Sequence, residues 1–351
     1  MGKVNIKSIA AALHLSPATV SRALNNSYEI KQETKERVLA YAAKHNYRPN
    51  PFAKHLKTGK TNLIGVAIPF LSSPFFLDFI DELYKAVLPH HYTLFPFQTQ
   101  NCEKMEKEAL DFLISQHVAG IIISPANENS NKELLQHIHH HTCPVILFDR
   151  TQHDLDTYKI GIHNSLETFN ATEELIKKGR TNIAFLCGKD IGNTKDRIRG
   201  YKNALHNYAI PFREEYVIHA DYQDPTENID VELKEVFKNL QAADKMPNAI
   251  VSGTDTLSIK ILGVLADLNF GVPEDVAVIG FTNTNLANYL NPALSTIRQP
   301  TQQMAQLALD LLIPLMEKKQ NRREMTYENF LLEATTTYRK STDIKKIIAK
   351  L

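Results

Sequence analysis

Three hydroxyls and an arginine crowd one short stretch near the start of the chain, Ser16, Thr19, Ser21 and Arg22 in SPATVSRALN. Small hydroxyls reach phosphate oxygens, and an arginine forks two hydrogen bonds to a base edge, so the grouping suits contact with DNA. Reaction chemistry is not written anywhere comparable. G-x-S-x-G, H-E-x-x-H and G-x-G-x-x-G are all missing, and no paired acids are placed together, so neither an enzyme nor a cofactor is expected. Gly59-Lys60-Thr61 imitates the end of a phosphate loop, but Lys54 stands where its first glycine is required. His137, His139, His140 and His141 invite a metal reading; adjacent histidines on a helix point in different directions, and no metal site is expected.

The elements that must present the first group are two short helices and a tight turn. Asn5 is a good N-cap, and Ile6, Ile9, Ala10 and Leu13 give the first helix one apolar stripe. Ser16 caps a second helix with Pro17 at its first position; Val20 and Leu24 face inward, leaving Thr19, Ser21 and Arg22 outside. This is a helix-turn-helix, whose second helix and flanks, Ser16, Pro17, Ala18, Thr19, Ser21, Arg22 and Asn25, are the candidate DNA contacts. Gln32 to Asn46 reads as a third helix, with Val38, Leu39 and Ala42 covering the first two. Pro49 and Pro51 then bar a continuous helix, and Phe52 to Thr58 has room for one helical turn before Gly59. From Asn62 onward, short apolar runs such as Leu63–Ile68, Val118–Ser124 and Val276–Phe281 alternate with amphipathic segments. That alternation predicts parallel sheets covered on both faces, and eight such units are more economically housed in two lobes than in one.

Charge separates the same two parts. Residues 1–61 carry eleven Lys or Arg against three acids, whereas the rest carries 29 basic and 36 acidic residues. The head is built to meet a polyanion and the body is not. At 351 residues and 43% hydrophobic content the chain can bury a large core. No run of eighteen apolar residues and no apolar N-terminal segment occurs, so a cytoplasmic protein with no membrane partner is expected. Cys102, Cys143 and Cys187 are odd in number and widely spaced, and read as reduced.

SPATVSRALN, followed by YRPNPFAKHLKTGKTNLIGVAIP at Tyr47 to Pro69, closely resembles the LacI/GalR family of bacterial transcription factors, and the likeness extends along nearly the whole chain. The resemblance implies a small all-α helix-turn-helix head at 1–48, a hinge at 49–61, and a two-lobed α/β body of the periplasmic-binding-protein kind at 62–340 with a tail at 341–351. It implies a body crossed three times, placed near His163, Asn291 and Thr326, giving an N-lobe of about 62–162 and 292–325 and a C-lobe of about 163–291 and 326–340. In the family the hinge folds on DNA and wedges a leucine into the minor groove; the matching residue is Leu56, with Ala53 beside it and Lys57 next. The implied partners are a double-stranded DNA operator, a second copy of the chain and a sugar-like effector.

Four segments match the family's cleft. Phe75 and Phe76 open a helix and offer apolar faces to a sugar ring, or are plain core aromatics. Asp149 and Arg150 end a strand, and either reach the cleft or pair with each other. Arg197 lies early in a helix, where it forks to a ligand or is solvated. Asp255 either accepts from a ligand hydroxyl or caps the helix it begins. Two departures stand out. The family's turn glycine is His14 here, which must accept the backbone angle the turn imposes. The aspartate expected after Phe281 is Thr282; a cleft that has lost this negative charge while keeping Arg150 and Arg197 favours an acidic sugar, with a neutral sugar as the alternative.

Overall fold

The computed structural model describes residues 4–24, 26–47, 61–188, 192–220, 228–317 and 321–343. Two compact units divide at Thr61 and Asn62. Asn25, Ala53, Leu56 and Lys57, and with the last three the hinge, lie outside the described residues.

The head is three helices, α1 Ile6–Leu13, α2 Pro17–Leu24 and α3 Gln32–Lys44. Asn5 caps α1 by accepting from the Ser8 N–H at 2.9 Å, and the Ser8 hydroxyl accepts in return from the Asn5 N–H. Ser16 caps α2 by accepting from the Thr19 N–H at 3.0 Å. Ile9, Ala10, Val20, Ala23 and Val38 form the core. The apolar stripe of α2 runs through Ala23 rather than Leu24, and Leu39, expected to help cover the first two helices, is 50% exposed. Alanine at 23 is small enough to let the helices close, which leaves the bulkier leucines at the rim. His14 sits at φ 54°, ψ 43°, the left-handed conformation that ends α1.

The body holds two six-stranded sheets. The first contains β1 Leu63–Ile68, β2 Thr93–Gln98, β3 Gly120–Ile123, β4 Val145–Phe148, β5 Lys159–Ile162 and, near the C-terminus, β11 Asn329–Leu332, in the order β11-β5-β4-β3-β1-β2. Every pairing in it is parallel. Helices α4 Pro74–Val87, α5 Glu103–Ser115, α6 Lys132–His137 and α11 Thr301–Glu317 cover it, with a π-turn at Ile138–Thr142. The second sheet contains β6 Ile183–Cys187, β7 Val217–His219, β8 Ala249–Ser252, β9 Ala277–Phe281, β10 Ser295–Arg298 and the antiparallel edge β12 Thr335–Thr337, in the order β12-β10-β9-β8-β6-β7. Its helices are α7 Asn164–Lys177, α8 Thr194–Asn207, α9 Ile229–Ala242 and α10 Asp255–Asp267. Strands buried on both faces explain the continuous apolar runs.

The two lobes are as expected, but two boundaries are not. Ser295–Arg298 pairs with β9, so the second crossing follows Arg298 instead of Asn291; Asn329–Leu332 pairs with β5, so the third follows Leu332 instead of Thr326. β5, β10, β11 and β12 are only three or four residues long and each begins on a polar residue, Lys159, Ser295, Asn329 and Thr335, so no long unbroken apolar run announces them. Among the described residues the N-lobe is thus 62–162 with 299–332, and the C-lobe 163–298 with 333–343.

Candidate functional site

A cavity of about 490 Å³ lies where the strands of both lobes point their C-terminal ends, with walls from each. Six of the seven predicted cleft residues line it: Phe75, Phe76, Asp149, Arg150, Arg197 and Asp255. Phe76 meets Phe148 edge-on with ring centroids 6.0 Å apart, so it serves the core as well as the cavity.

The charged side chains are held firmly. Asp149, in a left-handed conformation at φ 63°, accepts from Asn193 Nδ2 at 2.9 Å. Arg150 donates to the carbonyls of Pro125 and Ala126 at 2.7 and 2.9 Å, so it braces a neighbouring loop. Arg197 Nε donates to Asn164 Oδ1 at 2.7 Å, another of its nitrogens donates to the Gly253 carbonyl, and the guanidinium stacks over Phe281 with 3.7 Å to the ring centroid. Only 7% of Arg197 is exposed, which excludes the solvated helix charge. Burial pushes the Asp149 and Asp255 carboxyls up from the ordinary range; the opposing charges of Arg150 and Arg197 act on the first, and hydrogen bonds on the second.

Asp255 does not cap α10. Thr254 does, accepting from the Leu257 N–H. Asp255 instead bridges the lobes: Oδ2 accepts from Ser73 Oγ at 2.9 Å and from the Phe75 N–H at 3.3 Å, while Oδ1 accepts from the Asn283 N–H at 2.8 Å. Asn283 carries the link on to Asp78 in α4, whose Oδ2 also accepts from Arg298 at 2.8 Å and Thr301 Oγ1 at 2.7 Å. Thr282 corrects the expectation placed on it. It is absent from the cavity wall; its hydroxyl bonds to Asp255 and accepts from the Thr284 N–H at 3.1 Å.

Sequence reasoning missed the polar groups that have no internal partner. Both amide atoms of Asn101 and the Oε1 of Gln299 are buried without one, and both residues line the cavity. Asn101 follows Gln100, each with φ 53°, so two left-handed residues in a row end β2 and aim the amide. Nothing in the letters TQN marks this, since a left-handed pair is recognisable only from backbone angles.

In the head, Ser16, Pro17 and Ala18 are exposed and Thr19 and Ser21 half-buried. Arg22 is exposed and lies 3.3 Å from Glu29, an ion pair that water screens and DNA phosphates would displace. The histidine run has its own use. His139 Nδ1 accepts from the Val145 N–H at 3.1 Å, its Nε2 meets the Tyr327 hydroxyl at 2.7 Å, and that hydroxyl donates to the Arg322 carbonyl at 3.0 Å. Burial, then Arg322, lowers its pKa to about 4, so it is a neutral structural bridge.

Comparison with known proteins agrees with this division. Residues 5–50 match the bacterial regulatory proteins of the lacI family, and residues 172–342 match a periplasmic binding protein-like domain. Catabolite control protein A of Priestia megaterium is 29% identical over 318 residues, spanning 90% of this chain and 93% of its own. The HTH-type transcriptional repressor PurR of Glaesserella parasuis serovar 5 is 28% identical over 314 residues, spanning 89% and 90%. A crystal structure of the lac repressor dimer bound to operator and the anti-inducer ONPF superposes with a TM-score of 0.82 at 21% identity, covering 97% of this chain and 99% of that one. Among the described residues no helix is long and apolar enough to cross a membrane.

Proposed function

The chain belongs to the lacI family of bacterial regulatory proteins and is a DNA-binding transcription regulator with an effector-binding domain, and from that premise we propose that it is a dimer controlled by a neutral sugar. The observation that carries the ligand is the pair of unpartnered amides, Asn101 and Gln299, in the cavity between the lobes. Two aspartates balance two arginines there, each already committed to protein groups, and amides remain to read hydroxyls. The case for an acidic sugar loses its ground, because Thr282 is not in the wall. Phe75 and Phe76 supply the apolar faces, Arg150, Arg197, Asp149 and Asp255 the frame. Cavity volumes of this order hold a mono- or disaccharide.

Ser16, Pro17, Ala18, Thr19, Ser21, Arg22 and Asn25 are the proposed operator contacts, with Ala53, Leu56 and Lys57 of the hinge entering the minor groove. Leu77 and Tyr84 of α4 and Leu88 just after it, all exposed, together with Leu286 and Tyr289, support a dimer surface. Sequencing the genomic fragments retained by the purified chain would give the operator. Calorimetry would then compare neutral sugars with their uronates. Neutral-sugar binding that Gln299→Ala weakens about tenfold or more is the expected result, whereas tight binding of uronates alone would overturn the ligand class.

A further inference from the structure

Residues 1–61 hold three acids among eleven bases, and a carboxylate beside a surface that meets phosphates weakens binding to every DNA sequence. Two of the three stand on α3. Glu33 lies in its first turn, and Glu36 accepts from Gln32 Nε2 at 3.0 Å along the same helix. Among the described residues of the head, Glu29 is the acid paired with α2, through Arg22 in that helix's last turn.

A fixed turn carries Glu29. The Ser27 N–H donates to the Arg22 carbonyl at 3.0 Å, and the Ser27 hydroxyl accepts from the Glu29 N–H at 3.4 Å. Lys35 Nζ reaches back from α3 to donate to Asn26 Oδ1 at 2.9 Å, so one basic side chain braces the turn. Ile30, directly after Glu29, packs against the head's core. The backbone of Glu29 is thereby held against the end of α2.

The pairing uses one edge of the guanidinium. Glu29 Oε2 lies 3.3 Å from Arg22 Nε, and among the described residues nothing is bonded to the two terminal nitrogens. A guanine offers O6 and N7 as neighbouring acceptors, which the two terminal nitrogens can meet end-on while Nε keeps its carboxylate. A phosphate is different. It carries a full negative charge, so beside Glu29 it is either repelled or must take the carboxylate's place, leaving Glu29 alone against the duplex.

We propose that Glu29 is a positioning residue for sequence choice: it holds Arg22 by Nε, so that the guanidinium accepts a guanine edge and refuses a phosphate. The inference rests on the reading of Arg22 as an operator contact. Both side chains are exposed, and the pair contributes little to folding. Its effect falls on bulk DNA, where weakened binding widens the gap between operator and arbitrary sequence.

Anisotropy titrations of the full chain test this, using the operator recovered from retained genomic fragments and an arbitrary duplex of equal length, in about 0.05–0.2 M salt. Glu29→Gln should bind the arbitrary duplex about threefold to tenfold more tightly than wild type, with a salt slope steeper by about 0.9, because Arg22 is released to a phosphate. Operator affinity should stay within about twofold, so the ratio of the two falls. Glu33→Gln removes the same charge away from Arg22 and should tighten both duplexes alike. In an Arg22→Ala background, Glu29→Gln should leave the ratio where Arg22→Ala put it. A ratio that Arg22→Ala lowers and Glu29→Gln does not would overturn the role of Glu29 alone, as would an equal fall in Glu33→Gln, which assigns the effect to net charge. A ratio untouched by Arg22→Ala would overturn the operator contact on which the proposal rests.

Discussion

His14 does a glycine's work at the end of α1 and bears the strain of it. An L-residue in the left-handed region costs about 1–2 kcal/mol, partly offset because glycine loses more entropy on folding. His14→Gly should therefore stabilise the head by about 0.5–1 kcal/mol, read as slower amide exchange in α1 and α2. The same residue type behaves differently when buried. His139 is fully enclosed and neutral, with a folded pKa of about 4 against an ordinary 6.5. A depressed histidine pKa means that the unfolded chain binds a proton the folded one refuses, so stability is complete above about pH 6.5 and is lost as pH falls towards 4. The loss approaches about 3 kcal/mol. Urea titrations of the body at pH 7.5 and 4.5 should show it, and His139→Asn, which keeps an acceptor without a titrating ring, should flatten the difference. Arg22→Ala should relax base preference at one operator position per half-site by about 1–3 kcal/mol, measured by competition with single-base operator variants.

At the scale of elements, helix α4 matters more than its neighbours, since it meets the second lobe through both its N-terminus and Asp78. Asp78 holds Arg298, Asn283 and Thr301 at one carboxylate oxygen. Asp78→Ala leaves that guanidinium without its partner carboxylate and should cost about 1–3 kcal/mol of lobe closure. Small-angle scattering should then report a larger radius of gyration, and sugar binding should weaken; an unchanged radius would mean that the remaining interlobe bonds, those of Asp255 and of Asn193 to Asp149 among them, suffice to hold the lobes together. The elements with strong apolar period were legible in the sequence. β1, β3, β6 and α4 announced themselves, as did the caps Asn5 and Ser16. β10 and β11 did not, because each is only four residues long and its pairing is fixed by the neighbouring strands rather than by its own letters. Cleft residues at strand ends, such as Asp149 and Arg150, were legible for the opposite reason: parallel topology dictates where strand ends go. Asn101 and Gln299 were hidden because what marks them is a missing partner, and a sequence does not show partners.

At the scale of the whole molecule the separation of charge is the most consequential fact. With eleven basic and three acidic residues in 1–61, removal of that segment should leave a folded body without DNA affinity. If the intact chain neutralises about 6–10 phosphates, affinity should drop about 10³–10⁵-fold between 50 and 200 mM salt, and a flat response would contradict the assignment.

The interleaving of the two sheets has a consequence for synthesis. β11 and β12 are the last strands of the chain, yet each is the border strand of a different sheet, and α11, which packs on the first sheet, also arrives late. Neither lobe can be completed until the ribosome has passed residue 337. The head, by contrast, is whole once residue 44 has emerged. At about 5–20 residues per second the nascent chain spends about 15–60 seconds with a finished reading head and an unfinished sensor. During that interval, on a message still joined to its template, the polypeptide can sample DNA while deaf to its ligand.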